Sequence, residues 1–505
     1  FAQWRIEQTG HGILGFITNH GFLDNPTFRG MRHAILKDFD EIYILDLHGN
    51  KKKKEVSPDG SSDENVFDIQ QGTSICFMVR HENRGKSVTS LAKVFRYDLW
   101  GARKVKFDWL LNNGFDSTPF KEVKPISPFY TFTHQNHSIS KEYYTGIRLT
   151  DIFPLNNSGM VTACDSLSIQ FSKDSMWEAV KEFVDMSPSE AKEKWDLGGN
   201  RDWQIEWAQK DVKKSGITKN RVRAITYRPF DTRWTYYTGN MKGFICNPRD
   251  AIMKHMLNGE NIGLISARSN KSQAMDHFFV TASLMETKAG ESTTQSTLFP
   301  LYRFEEDLTG KFKKALNLSD DVKEYIAGIC GECNADTALT FLNYVYACVH
   351  SPSYRIKYRD EIRQDYPRIQ LTTDKTLFRK LAKFGQELID LHLMKDDRLD
   401  GGKTDYPIKG TNEVSSVRFD VKNRRLYINK EQYFGNIPEE VFAHTIGGYQ
   451  VLDKWLKYRK GNKLTFSDIN HFEKMVEALS RTRDVVANIE KSIKDAGGWP
   501  LSAPD

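Results

Sequence analysis

Residues 12–50, GILGFITNHGFLDNPTFRGMRHAILKDFDEIYILDLHGN, decide the fold class. Ile13 to Thr18 reads as an apolar strand and Asn19-His20-Gly21 as a polar loop. Thr27 to Leu36 reads as a helix and Ile42 to Leu47 as a second apolar strand. Strand, loop, helix and strand in that order predict an open α/β sheet. In such sheets ligands sit beyond the carboxyl ends of the strands, which makes the loop after Thr18 a candidate site. Asn19 and His20 equally read as caps of the helix that follows. Asp24 is the only acid close by, and no Ser or Cys nucleophile completes a hydrolytic set. Upstream, FAQWRIEQTGHG reads as the end of a helix, and the chain is expected to open inside a domain.

Downstream, residues 48–66 (HGNKKKKEVSPDGSSDENV) read as a solvated, mobile loop. Phe67 to Arg80 is the next predicted strand, with Lys93 to Leu99 as its partner in an antiparallel hairpin that ends the sheet. A short helix over Ala102 to Asn112 precedes a domain boundary near 115. From 116 to 305 aromatic and turn residues interleave, and an irregular α+β module is expected. Met176 to Met186 and Pro188 to Trp195 are its helices, and Met285 to Thr297 is a polar loop before a strand over Leu298 to Phe304. From 306 to 505 helices dominate: Ala338 to His350, Ser353 to Ile362, Lys375 to Met394, Gly448 to Tyr458 and Ser467 to Ile489. A small hairpin over Val417 to Val421 and Arg425 to Ile428 interrupts them.

Composition sets wide limits. A net charge of +6 over 505 residues tolerates a polyanion without demanding one. Mean hydropathy is −0.56. The sequence has no apolar run of about 18 residues, so no membrane span is expected. Nothing resembles a secretory leader, and six cysteines in so long a chain form no disulfide framework. A reducing cytoplasm is the expected compartment. Cys330 and Cys333 form a lone CxxC, and packing accounts for it better than a metal; no metal is expected.

Longer blocks carry a resemblance. FITNHGFLDNPTFRGMR, IYILDLHGN and FDIQQGTSICFMV resemble the downstream motifs of N6-adenine DNA methyltransferases, most closely the Type ISP (Type IIG-like) restriction-modification enzymes. VFRYDLWG, ITYRPFDTRWTYYTGNMKGFICNPRD, LNYVYACVHSPSYR, INKEQYFGNIPEEV and IGGYQVLDKWLKYRKGNKL continue the likeness over nearly the whole chain. The resemblance implies the distal half of a Rossmann-like methyltransferase sheet, followed by an α+β target-recognition region with a largely helical C-terminal part. The family binds S-adenosylmethionine on a Gly-rich loop and performs the transfer at an Asn-Pro-Pro-Tyr/Phe loop. Neither occurs in these residues, so methylation by this chain alone is not expected. The family also carries a nuclease and a translocating ATPase, and no GxxxxGK[ST] occurs here. The remaining methyltransferase half, the nuclease and the ATPase become expected partners, beside double-stranded DNA.

A base modified by such an enzyme must leave the stack for an apolar or aromatic pocket. Phe67 resembles the aromatic that packs on the flipped adenine, with Asn19, His20 and Phe22 beside it. For DNA contact the best stretch is residues 227–237, YRPFDTRWTYY. Arg228, Arg233, Trp234, Tyr236 and Tyr237 are its candidates, and Lys242, Arg249, Arg268 and Lys271 extend the basic texture. Arg233 reads equally as the structural partner of Asp231. A non-catalytic specificity module acting in trans and a fragment of an RNA methyltransferase are the alternatives.

Overall fold

The computed structural model describes all residues except 52–54, 83–89, 135–136, 199–201, 258, 271–273, 307–311 and 502–505. Part of the lysine-rich loop, and Lys271, therefore lie outside the described residues. The chain divides into two compact units, Phe1–Ser140 and Lys141–Asp505.

In the first unit α1 (Ala2–Thr9), β1 (Gly12–Asn19), α2 (Arg29–Asp38), β2 (Glu41–Asp46) and β3 (Thr73–Arg80) are followed by β4 (Lys93–Asp98), α3 (Arg103–Asn112) and β5 (Lys121–Val123). The sheet order is β1-β3-β2-β4-β5. β3 lies antiparallel between β1 and β2, so those two run the same way. β4 pairs with β2 in parallel, Glu41 opposite Lys93 through Asp46 opposite Asp98. The predicted hairpin of 67–80 with 93–99 does not form, because both edges of β3 are already taken. Phe67 lies outside β3: the Asn65 side chain accepts from Phe67 N (2.8 Å) and donates to Gln71 O (2.6 Å), holding 65–71 as a bent loop.

The core of this unit joins Phe22, Leu36, Phe39, Ile42 and Ile44 to Val123 and Phe132. Arg32 on α2 has no exposed surface and donates to Phe22 O (2.7 Å), Asn25 O (2.8 Å) and Phe129 O (2.6 Å). Burial pushes its guanidinium down to about 10 against the opposing charge of Asp24. β5, Phe129 and Phe132 therefore bind the segment beyond residue 115 into the first unit.

The second unit carries β6 (Asn157–Ser158), α4 (Lys173–Asp185), α5 (Pro188–Trp195), β7 (Val222–Arg228), β8 (Asp231–Tyr236), β9 (Gly263–Ala267) and β10 (Phe279–Thr281). β11 (Leu284–Met285), β12 (Ser296–Pro300), β13 (Tyr302–Glu306) and β14 (Phe312–Leu316) follow. Its long helices are α6 (Ala335–His350), α7 (Lys375–His392) and α8 (Phe466–Asp495). One sheet has the order β10-β9-β12-β6 and another β11-β7-β8. The β13–β14 hairpin spans the predicted boundary at 305/306, so no unit ends there. The predicted polar loop 285–297 turns inward. Glu291 is fully buried and its carboxylate accepts from Thr293 N (2.7 Å) and Thr293 Oγ1 (3.0 Å). Polar side chains that satisfy one another carry no solvent requirement. α6 and α7 cross at Gly385, where a Cβ would meet Asn343 O at 1.8 Å. Among the described residues no helix is long and apolar enough to cross a membrane.

Candidate nucleic-acid interface

Because β1, β2 and β4 run the same way, their carboxyl ends meet at one edge of the first unit's sheet. His20 follows β1, Asp46 ends β2 with His48 two residues beyond it, and Arg96 and Asp98 lie at the end of β4. Asp46 Oδ1 faces His20 Nδ1 at 2.9 Å and its Oδ2 accepts from Arg96 Nη2 at 2.7 Å. Asp98 Oδ1 accepts from Arg96 Nη2 at 2.6 Å and faces His48 Nε2 at 2.8 Å. Burial works against the Asp46 carboxylate, yet the His20 hydrogen bond and the charges of Arg96 and His48 hold it well below its ordinary range. Burial likewise opposes charge on His48. Asp98 bonded to it and the carboxylates of Glu55 and Asp46 beside it outweigh that and raise it to about 9. His48 also stacks on Trp100, ring centres 3.3 Å apart. Gly72 backs the cluster: a Cβ there would lie 2.4 Å from His20 Cε1.

The expected pocket residues separate. His20 is inside this cluster. Asn19 is exposed, caps the turn through Gly21 N (2.8 Å) and bonds Gln71. Phe22 is 5% exposed and packs edge-on against Phe132 in the core. Phe67 presents its ring to solvent at 43% exposure. Asp46, His48, Arg96 and Asp98 were missed, although DLHGN and RYD at two strand ends carried the signal.

In the second unit the aromatic-basic stretch builds β7 and β8 and largely faces inward. Asp231, 1% exposed at its side chain, accepts from Arg233 Nη2 (2.7 Å) and Arg459 Nη2 (3.1 Å). Burial opposes the Asp231 charge, and the two guanidinia hold it below the ordinary carboxylate range. Arg233 lies over Tyr227 (4.0 Å) and Phe171 (4.5 Å), which makes it the structural partner of Asp231. Arg228 pairs with Glu286 at 2.5 Å. Tyr236 and Tyr237 are buried, their hydroxyls donating to Gly216 O and Asp250 Oδ1 at 2.9 Å each. Trp234 and Arg249 are half-buried; Lys242 is exposed, its Nζ 5.3 Å from the Trp207 ring centre.

Arg268 lies elsewhere, on the rim of an open groove of about 430 Å³ with Asn156, Asn157, Ser158, Gln295, Thr297 and Tyr366. β6 pairs with β12 and sets Ser158 opposite Thr297, which brings these two polar segments together. Arg268 is 55% exposed at its side chain, its Nε 3.3 Å from Asp365 Oδ1. Gln295 was missed, since 285–297 read as a connecting loop, and Asn156 and Asn157 lie in a stretch that carried no motif.

The model of the Type ISP C-terminal specificity domain matches residues 151–488, within the second unit. The chain belongs to this family. A search of curated proteins finds no match. Solved structures are similar over nearly all of this chain. The ATP-dependent Type ISP restriction-modification enzyme LlaBIII bound to DNA superposes with a TM-score of 0.72 at 20% identity, over 97% of this chain and 33% of that one. The DrdV–DNA complex gives 0.65 at 21%, over 100% and 52%. A nuclease-deletion mutant of the Type ISP enzyme LlaGI with a DNA substrate mimic gives 0.67 at 17%, over 96% and 39%. The chain thus spans a third to a half of the length of these proteins, and at such identities the likeness is one of fold.

The specificity domain also holds a cavity of about 420 Å³ lined by Asp276, Phe278, His350, Arg355, His392 and His444. Burial pushes His350 down to about 3 and His444 to about 4, the Arg355 charge adding to both, and holds His392 well below its ordinary value. Neutral His392 accepts from Tyr346 Oη at Nδ1 (2.5 Å) and bonds Thr482 Oγ1 through Nε2 (3.1 Å), so a second proton breaks this chain. Between the unfolded value of about 6.5 and the folded ones, the unfolded chain binds more protons. Stability from these groups is therefore complete above about pH 6.5 and falls as pH drops toward 4. Urea midpoints measured from pH 8 to pH 4.5 are expected to fall below 6.5, with a shallower fall in His392→Gln. A wild-type midpoint that stays level would contradict neutral imidazoles.

Proposed function

We propose that the second unit reads the sequence of duplex DNA, using the groove of Arg268, Asn156, Asn157 and Gln295. The observation that carries this is the groove's chemistry within the family-matched region. Arg pairs bidentately with guanine O6 and N7, and Asn or Gln with adenine N6 and N7. Among the basic candidates, Arg228 and Arg233 are committed to Glu286 and Asp231, whereas Arg268 and Lys242 face solvent. Lys242 then serves the phosphates, which position without specifying. The DNA-bound state of the three similar structures supports the same reading.

In this reading the first unit belongs to an N6-adenine methyltransferase and Phe67 forms one wall of the pocket for the flipped base. The strands β1 and β2, which run the same way and are joined by α2, support it, as does the edge position of β1 among the described strands, where Ile13, Phe16 and Ile17 are each more than half exposed. Other methyltransferase, nuclease and ATPase domains are the partners it implies. The methyl donor implied is S-adenosylmethionine, and the described residues do not fit it. At the sheet end His20, Asp46, His48, Arg96 and Asp98 spend their polar atoms on one another.

Fluorescence anisotropy with labelled duplexes tests the recognition. Binding is expected to weaken steeply with salt. Arg268→Ala is expected to relax preference at one base pair by about 1–3 kcal/mol, and Gln295→Ala at another. Equal losses on every duplex would make Arg268 a phosphate contact. Tighter binding to structured RNA would favour an RNA substrate instead.

A further inference from the structure

One group of side chains at the sheet end has a geometry that ion pairing alone does not explain. His20 Nε2 and His48 Nδ1 each lie 3.9 Å from the same Glu55 Oε1. That is too long for a hydrogen bond. Among the described residues His48 Nδ1 has no hydrogen-bond partner, although the residue is only 5% exposed. The rings stand perpendicular, their centres 6.0 Å apart, and the three ligand atoms fall within 4.8 Å of one another. The opposite nitrogen of each ring is held by a carboxylate, His20 Nδ1 by Asp46 at 2.9 Å and His48 Nε2 by Asp98 at 2.8 Å. Carboxylates in that position fix the tautomer and the ring orientation of metal-bound histidines.

We propose that His20 Nε2, His48 Nδ1 and Glu55 Oε1 form a binding site for a zinc-class divalent cation. Those separations leave a common point roughly 2.2–2.5 Å from all three atoms, slightly beyond the 2.0–2.2 Å of zinc bonds to nitrogen and oxygen. Small rotations of the side chains close the difference. Two imidazoles and one carboxylate suit zinc better than magnesium or calcium, which take oxygen ligands. Asn50 Nδ2, 3.1 Å from His20 Nε2, swings aside when the ion enters. A second grouping, Asp46, His48 and Asp98, is not favoured, because Arg96 already supplies the positive charge to both carboxylates. The ion would tie His48 and Glu55 to His20 at the end of β1. This site is independent of the DNA-recognition reading.

The test is metal content and zinc uptake of the full chain. Elemental analysis after purification without chelator, and titration of the stripped protein with zinc alone, are expected to give one zinc per chain. Zinc is expected to raise the Tm of the stripped protein, and Co(II) in its place to give visible absorption. Glu55→Gln, at a partly exposed position, is expected to keep the far-UV circular dichroism and bind zinc at least about 10-fold more weakly. Cys330→Ser with Cys333→Ser is expected to leave the stoichiometry unchanged. The proposal is overturned if zinc neither binds nor shifts the Tm. It is equally overturned if full uptake survives in Glu55→Gln and disappears in the double cysteine variant.

Discussion

Asp231→Ala is expected to cost about 3–5 kcal/mol of stability. The carboxylate is almost wholly buried and is shared by Arg233 and Arg459. Removing it leaves two guanidinia facing one another, surrounded by Tyr227, Phe171 and Trp455. The ring faces retain part of the attraction but supply no acceptor for the lost hydrogen bonds. Burial already pushes Arg459 below its ordinary value, against the pull of Asp231, so loss of that carboxylate exposes the full desolvation cost. Arg233→Ala leaves Asp231 paired with Arg459 and is expected to lose about 1–3 kcal/mol. Urea denaturation measures both. An Arg233→Ala protein of wild-type stability that relaxes preference at one base pair would show instead that Arg233 reads DNA.

Asp46→Ala is expected to be as damaging within the first unit. Its carboxylate takes the His20 ring, Arg96 Nη2 and the His48 backbone N–H (3.0 Å). These come from three strand ends, so one truncation unties β1, β2 and β4 together. Breaking a buried pair in this way costs about 3–5 kcal/mol. Asp46→Asn keeps the shape and loses the charge, and is expected to fall between the two. Hydrogen exchange is expected to show lost protection in β1 to β4. Unchanged protection there would mean that the cluster does not hold the sheet together.

The strands and helices of residues 12–50 were legible because apolar runs bounded by polar loops set a local periodicity. α2 and β2 lie within two residues of their predicted spans. Strand pairing was not legible. The order β1-β3-β2 depends on which strand edge is free once the chain collapses, and no local pattern records that. The recognition stretch failed for a different reason. Composition does not separate a solvent-facing arginine from one paired two residues away. Period-two alternation along β8 places Asp231, Arg233 and Thr235 on the buried side, with Thr232 and Trp234 turned outward. The groove and the sheet-end cluster assemble residues 26 to more than 100 positions apart, which only tertiary structure brings together.

Selection of duplexes from a randomised pool by the full chain decides whether the Arg268 groove reads sequence. One recovered motif is expected, and in Arg268→Ala the same motif with one position degenerate. Recovery of no common motif, with wild-type and variant binding every duplex alike, would contradict it.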